Sequence, residues 1–169
     1  MKMMKQTSPL QTNYALFLCV AMIGVVGTAL AFEHIGGYLP CKLCLEQRMP
    51  YYIGAPLMAL AAFSSFKNWK PFMTRGLLTI GGLLMFYGMS LAIFHAGVEW
   101  GFWAGPTDCS AAATSITTDA KNLLDDINAI HPPSCDKAAL RFLGISFAGW
   151  NVPASLVLMV GAFRAAVKG

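Results

Sequence analysis

Charge is what this 169-residue chain has least of: 12% of its residues are Asp, Glu, Lys or Arg, while 56% are apolar. That balance excludes an ordinary soluble domain of this length and predicts an integral membrane protein. Acid is scarcer still. Carboxylates are missing altogether from the N-terminal tail, from the stretch Lys67 to Arg75 and from Arg164 onwards. Internal repeats and low-complexity segments are also absent. The net charge of +4 comes from Lys and Arg at the ends of apolar runs, so it signals topology and gives no reason to expect nucleic-acid binding.

Apolar runs are plentiful. A membrane helix needs roughly 20 residues, and three stretches supply them: Tyr14 to Phe32, Met49 to Phe66 and Gly76 to Val98. A fourth lies inside Phe142 to Val167. Asn151 there reads as a helix cap, with Pro153 in the first turn and the membrane helix starting near Val152. The whole chain, 1–169, is expected to be one membrane domain with spans near 14–32, 49–66, 76–98 and 148–167. Its start resembles a secretory signal, but the run is longer than a signal core and should stay attached as the first span.

Lys2, Lys5, Lys67, Lys70, Arg75, Arg164 and Lys168 fall in the acid-free segments, which puts both termini on the cytoplasmic side. The outward connections, near 33–48 and 99–147, then hold Cys41, Cys44, Cys109 and Cys135. Disulfides persist on that side of a membrane. Cys19 is left inside the first span and reads as a small apolar residue at a helix interface.

Pro40-Cys41-Lys42-Leu43-Cys44-Leu45-Glu46-Gln47-Arg48 is the segment around which the rest is organised. Two residues between cysteines let a disulfide open and close locally, and a nearby charge can lower a thiol pKa. With a helix starting near Leu43, Cys44 falls in the first turn, where the helix dipole favours a thiolate, and Arg48 follows four residues on over the same face. The plain alternatives are a structural clip for the cysteines and, for Arg48, either an interface marker or a partner of Glu46. Tyr51 and Tyr52 read as interface anchors, and Glu33, His34 and Glu99 as solvated boundary residues. His131, before two prolines, reads as part of a turn.

Span three carries Gly88, Ala92 and Ala96 at four-residue spacing, a ridge on which another helix can pack closely. His95 is offset from that ridge, near the depth expected for Cys44 and Arg48. In the long second connection, Thr118 to Ile130 places Leu123, Leu124, Ile127 and Ile130 on one face, as in a short amphipathic helix on a bilayer surface. Four outward cysteines can pair in three ways. The favoured resting state pairs Cys41 with Cys44, which are close in sequence, and Cys109 with Cys135, which close a loop with 25 residues between them that serves either as a staple or as an exchange site. A pair on a long loop can exchange with a soluble protein, and a pair at the bilayer surface can meet a molecule dissolved in lipid.

The segment Pro40 to Arg48, the four spans, His95, and Cys109 and Cys135 on the second outward loop together resemble the DsbB family, the bacterial inner-membrane disulfide bond formation proteins. The resemblance covers roughly Tyr14 to Val167. It implies an all-α four-transmembrane-helix bundle that reoxidises a periplasmic DsbA-like thioredoxin-fold protein and passes electrons to a membrane quinone, ubiquinone or menaquinone. By that similarity Cys109 forms the mixed disulfide with the partner and Cys135 is its mate. Exchange then reduces Cys41 and Cys44, the Cys44 thiolate donates to quinone, Arg48 supports the charged species, and His95 lies near the quinone ring.

Three rival readings remain open. One is a reductase related to the vitamin K epoxide enzymes, which a fused thioredoxin-like domain would favour and for which the chain is expected to be too short. Another is a DsbB relative dedicated to one substrate. The third is a membrane subunit whose four cysteines bind zinc, against which stand the oxidising compartment and the absence of a second close ligand pair.

Overall fold

The structure, a computed structural model, describes residues 9–106 and 134–168. Within them lie the helices α1 (Pro9–His34), α2 (Lys42–Phe66), α3 (Pro71–Glu99) and α4 (Phe147–Lys168), with a hairpin of β1 (Arg141–Phe142) and β2 (Ile145–Ser146) before α4. Three helices, α1, α3 and α4, are long and apolar enough to cross a membrane. α2 is as long, but Lys42, Glu46, Gln47 and Arg48 crowd its first two turns. Each expected span lies inside a longer helix, and the expected amphipathic helix Thr118 to Ile130 lies outside the described residues.

Helix ends follow local chemistry. At the end of α3, Gly101 takes φ +74, which lets Phe102 N–H reach Gly97 O at 2.9 Å and Gly101 N–H reach Val98 O at 3.1 Å. This paired closure satisfies carbonyls that the helix would otherwise leave open. α2 ends the same way through Asn68, φ 52, with Trp69 N–H on Ser64 O at 3.0 Å. Pro71 then starts α3, where its missing N–H costs nothing.

The start of α4 differs from the sequence expectation. Asn151 and Pro153 are inside the helix, and the cap is Ser146, whose Oγ accepts the Gly149 N–H at 3.1 Å. Leu143 and Gly144, both at positive φ, form the two-residue turn of the hairpin, with Arg141 opposite Ser146 and Phe142 opposite Ile145. Trp150 Nε1–H donates to Phe142 O at 3.0 Å and ties the hairpin to the helix it precedes. Asn151 is thereby left free to turn its amide inward.

α1 packs on α2, α2 on α3, and α3 on α4, while α4 closes back on α1. The interior is rich in methionine and small residues, among them Ala15, Met22, Met58, Ala61, Met85 and Ala162, with Leu18, Leu78 and Leu158 beside them. Large apolar side chains such as Phe17, Val20, Phe72 and Leu83 face outward. That distribution suits a lipid solvent, in which helices gain by close packing. The Gly88–Ala92 part of the expected ridge is buried. At Gly88 an added Cβ would touch Pro50 at 3.4 Å and lie 3.8 Å from Ser155 Oγ, so α2 and α4 both approach α3 at that point.

Candidate functional site

The site lies where α2 and α4 begin and α1 and α3 end. Cys41 caps α2: its backbone is extended, and its Sγ accepts the Cys44 N–H at 3.3 Å. The helix therefore starts one residue earlier than expected and Cys44 sits in its first turn. The two sulfurs are 3.0 Å apart and are free thiols, a separation longer than the roughly 2.05 Å of a disulfide. Cys135, by contrast, is disulfide-bonded. Its expected mate Cys109 lies outside the described residues.

Burial separates the roles of the two thiols. Cys41 packs with Leu43 and Cys135 in one buried cluster, against which Cys44 is partly buried. Cys44 also lines a cleft of about 370 Å³ that is walled by Val25, Ala29 and Phe32 of α1 and by Trp150 and Ala154 of α4. Arg48 lies on the same cleft and pairs with Glu33, the side chains being 12% and 22% exposed. Glu33 is thus an ion-pair partner at a half-buried position, a correction to its reading as a solvated boundary residue, and Arg48 pairs across to α1 instead of with Glu46.

His95 is 1% exposed. Its Nε2 is 3.6 Å from Cys41 Sγ and 3.7 Å from Glu99 Oε1. It lines a smaller hollow together with Cys41, Cys44 and Glu99, and is not among the residues lining the larger cleft. Glu99 is also no boundary residue: its side chain is 4% exposed. The two residues are one helical turn apart on α3, which aims both at the start of α2.

A line of amides runs on from the imidazole. Gln47 Nε2 is 2.7 Å from His95 Nδ1, and Asn151 Nδ2 donates to Gln47 Oε1 at 2.8 Å. Tyr51 bonds Asn151 Oδ1 through its hydroxyl and lies 2.9 Å from Ser155 Oγ. Tyr51 is therefore buried and bonded where an interface anchor was expected; Tyr52 is exposed. Gln47, Tyr51 and Asn151 also line the larger cleft, so the same chain of bonds touches the imidazole at one end and the cleft along its length.

The Cys41 thiol is lowered to about 4. The hydrogen bond from the Cys44 side chain is the largest cause; burial opposes it, and His95 beside the sulfur supports it. The first negative charge of the reduced pair falls on the capping residue Cys41, where the sequence reading put it on Cys44. The capping bond from the Cys44 N–H adds a smaller share to that preference.

Chemically, the arrangement is a dithiol with one sulfur against a second cysteine and the other on an apolar cleft beside a cation. It defines a class of helical membrane protein built for thiol chemistry. The family model described as "Disulfide bond formation protein DsbB" matches residues 11–165, and the chain belongs to that family. A protein of Marinobacter nauticus named "Disulfide bond formation protein B" is 30% identical over 146 residues, covering 83% of each chain. Proteins of that name from Cupriavidus necator and Cupriavidus pinatubonensis are 33% and 34% identical over half of each chain. No solved structure gives a significant match.

Of the expected site residues, Cys41, Cys44, Arg48, His95 and Cys135 converge on this end of the bundle. Sequence reasoning missed Gln47, Tyr51, Asn151, Ser155, Glu33 and Glu99. A signal was there for some of them: Asn151 and Ser155 are polar residues one turn apart in an apolar run, and Glu99 follows His95 at the spacing that shares a helix face.

Proposed function

We propose that this disulfide bond formation protein reoxidises a periplasmic DsbA-like thioredoxin-fold protein and delivers the electrons to a membrane quinone. The observation that carries this reading is the position of the cysteine pair, with Cys41 packed against Cys135 and Cys44 on the cleft. Electrons enter through the second outward loop, where Cys109 and Cys135 are the proposed exchange pair. They pass to Cys41 and leave through Cys44.

The cleft suits a quinone: its walls are mostly apolar, it opens among residues of a membrane bundle, and its polar lining includes Arg48, Gln47, Tyr51 and Asn151. Quinone, ubiquinone or menaquinone, would supply a two-electron, two-proton acceptor. The residues of this chain do the rest. When the Cys41–Cys44 bond forms, the dithiol gives up two electrons and two protons to that acceptor. Arg48 has five N–H donors, so its pairing with Glu33 leaves others to meet an oxygen on which charge develops. His95 stands beside Cys41, the sulfur that closes the disulfide onto Cys44 as electrons leave, and Gln47 fixes the ring.

The charge pattern supports an inner-membrane protein with four crossings, α2 being the fourth, and with both termini cytoplasmic. The single domain, 1–169, follows from the same reading. The decisive experiment is quinone reduction by the purified protein supplied with a reduced thioredoxin-fold dithiol, in wild type, Cys44→Ser and Cys109→Ser. Partner-dependent turnover lost in both variants is the expected result. Turnover surviving in Cys109→Ser would reduce the loop pair to a staple, and no turnover with either quinone would sink the oxidase reading.

A further inference from the structure

Zinc sites of the thiolate and imidazole type need four ligands at tetrahedral spacing. The sequence displays one close pair, Cys41 and Cys44, and the fold supplies another in His95 and Glu99. The Sγ atoms of Cys41 and Cys44 and a ring nitrogen of His95 all lie within 4.8 Å of one another. Glu99 Oε1 is 3.7 Å from the same Nε2 that faces Cys41 but stands outside the 4.8 Å cluster, so a small turn of its carboxylate is needed to make it the fourth ligand. Glu99 Oε2 is buried and has no hydrogen-bond partner among the described residues. A buried carboxylate oxygen without a partner is costly, and a cation beside it removes that cost. The four side chains line one small hollow, with Lys137 also on its wall.

We propose that, when Cys41 and Cys44 are reduced, their two sulfurs, His95 Nε2 and a Glu99 carboxylate oxygen bind one zinc-like divalent cation. Binding moves no electrons: each thiol still protonated gives its proton to solvent as its sulfur bonds the metal. Two thiolates, a carboxylate and a divalent ion leave one negative charge, which Lys137 faces. Ligation through Nε2 puts the ring proton on Nδ1, so Gln47 must present its oxygen there. The amides of Gln47 and Asn151 can both reverse without losing a bond in the line, because Tyr51 can accept from Asn151 and donate to Ser155. The ion and the Cys41–Cys44 disulfide exclude each other, so metal would hold the chain in its dithiol form.

This inference goes beyond the oxidase reading and is tested with neither partner nor quinone present. The full chain in detergent, carrying Cys109→Ser and Cys135→Ser to remove the loop thiols, is reduced with a phosphine, freed of reductant and titrated with Zn²⁺ against a chromophoric chelator. A parallel titration with Co²⁺ reads thiolate-to-metal charge transfer and the bands of a tetrahedral ion. One ion per reduced chain and none per oxidised chain is expected, with affinity falling at least about 10–100-fold in Glu99→Gln, a near-isosteric change. Equal binding by the oxidised chain, a cobalt spectrum without thiolate bands, or full affinity in Glu99→Gln would each overturn the site. Failure here leaves quinone turnover to be judged by its own assay, and failure of turnover leaves this result standing.

Discussion

At the end of the bundle where α1 and α3 begin, Gln11 Nε2 donates to Ala165 O at 3.1 Å, Thr12 to Ser65 at 2.8 Å, and Ser64 bonds Thr74 at 2.8 Å. At the opposite end lie Cys41, Cys44, Arg48, His95 and Glu99, with an amide line beside them and the 370 Å³ cleft. Both ends bury polar groups between helices. The first joins helices through neutral hydroxyls and an amide on a backbone carbonyl, beside a pocket of only about 60 Å³; the second buries thiols, an imidazole and a carboxylate beside a larger space. Neutral pairs hold helices together in lipid at about 0.6 kcal/mol each, at most about 1.7. Buried titratable groups are costly and mark function. One end fastens the bundle and the other does chemistry.

The sharpest break in that comparison is at Cys44. Replacing it by Ser removes the sulfur that faces the cleft, and quinone reduction should fall by more than about a thousandfold, the scale of losing a reacting nucleophile. Folding should survive, since Cys44 forms no disulfide in this structure. Residual turnover within tenfold of wild type would show that the cleft is not the exit for electrons. Arg48→Met comes next. Loss of one donor aimed at developing charge typically costs about 100-fold in kcat or more, and Glu33 is left without its partner. A change in KM alone, with kcat intact, would mean that Arg48 only helps hold the acceptor.

The thiolate assignment gives a prediction in pH. A depressed thiol pKa means that the anion exists above it and is lost as pH falls through it. With Cys41 at about 4, the ultraviolet thiolate absorbance of the reduced protein, measured with Cys19, Cys109 and Cys135 replaced, should persist from neutral pH down to about 5, fall by half near 4 and be nearly gone at about 3. His95→Ala should move the midpoint upward, because the imidazole is one of the causes of the shift. A midpoint near the ordinary thiol value of 9 would return the pair to an unactivated state and remove the reason for calling this end reactive.

Much of this division was legible before any coordinates. Apolar runs and missing acid gave the helices and their expected orientation, because transfer into lipid is dominated by composition. Cys41, Cys44 and Arg48 announced themselves by spacing. Glu99 shares a helix face with His95 by spacing, but it follows the last apolar turn, where a carboxylate usually meets water, and its burial comes from the fold of α3 against α2. Asn151 misled for a related reason. Beside Pro153 it has the composition of a cap, but the hairpin turn at Leu143 and Gly144 and the Ser146 hydroxyl start the helix at Phe147, well before Val152. Those contacts are tertiary, and local propensity carries no record of them. The state of the first pair is a correction: spacing favours a closed Cys41–Cys44 disulfide, and the structure holds both as free thiols.

The smallest expected effect tests the fastening end. Ser64 and Thr74 bond across the short connection between α2 and α3, and both are buried. Thr74→Val keeps the shape and leaves Ser64 without its partner; Ser64→Ala does the converse. Each should lower stability by about 1 kcal/mol, seen as earlier thermal unfolding in detergent, and the double variant should cost less than the sum because no polar group is then stranded. Turnover of the folded fraction should stay at the wild-type level, since neither residue lines the cleft or the hollow at the other end. Additive losses would show that the pair is not coupled. A fall in kcat comparable to that of Arg48→Met would mean that strain at this end reaches the cysteines, and the two ends would have to be treated as one device.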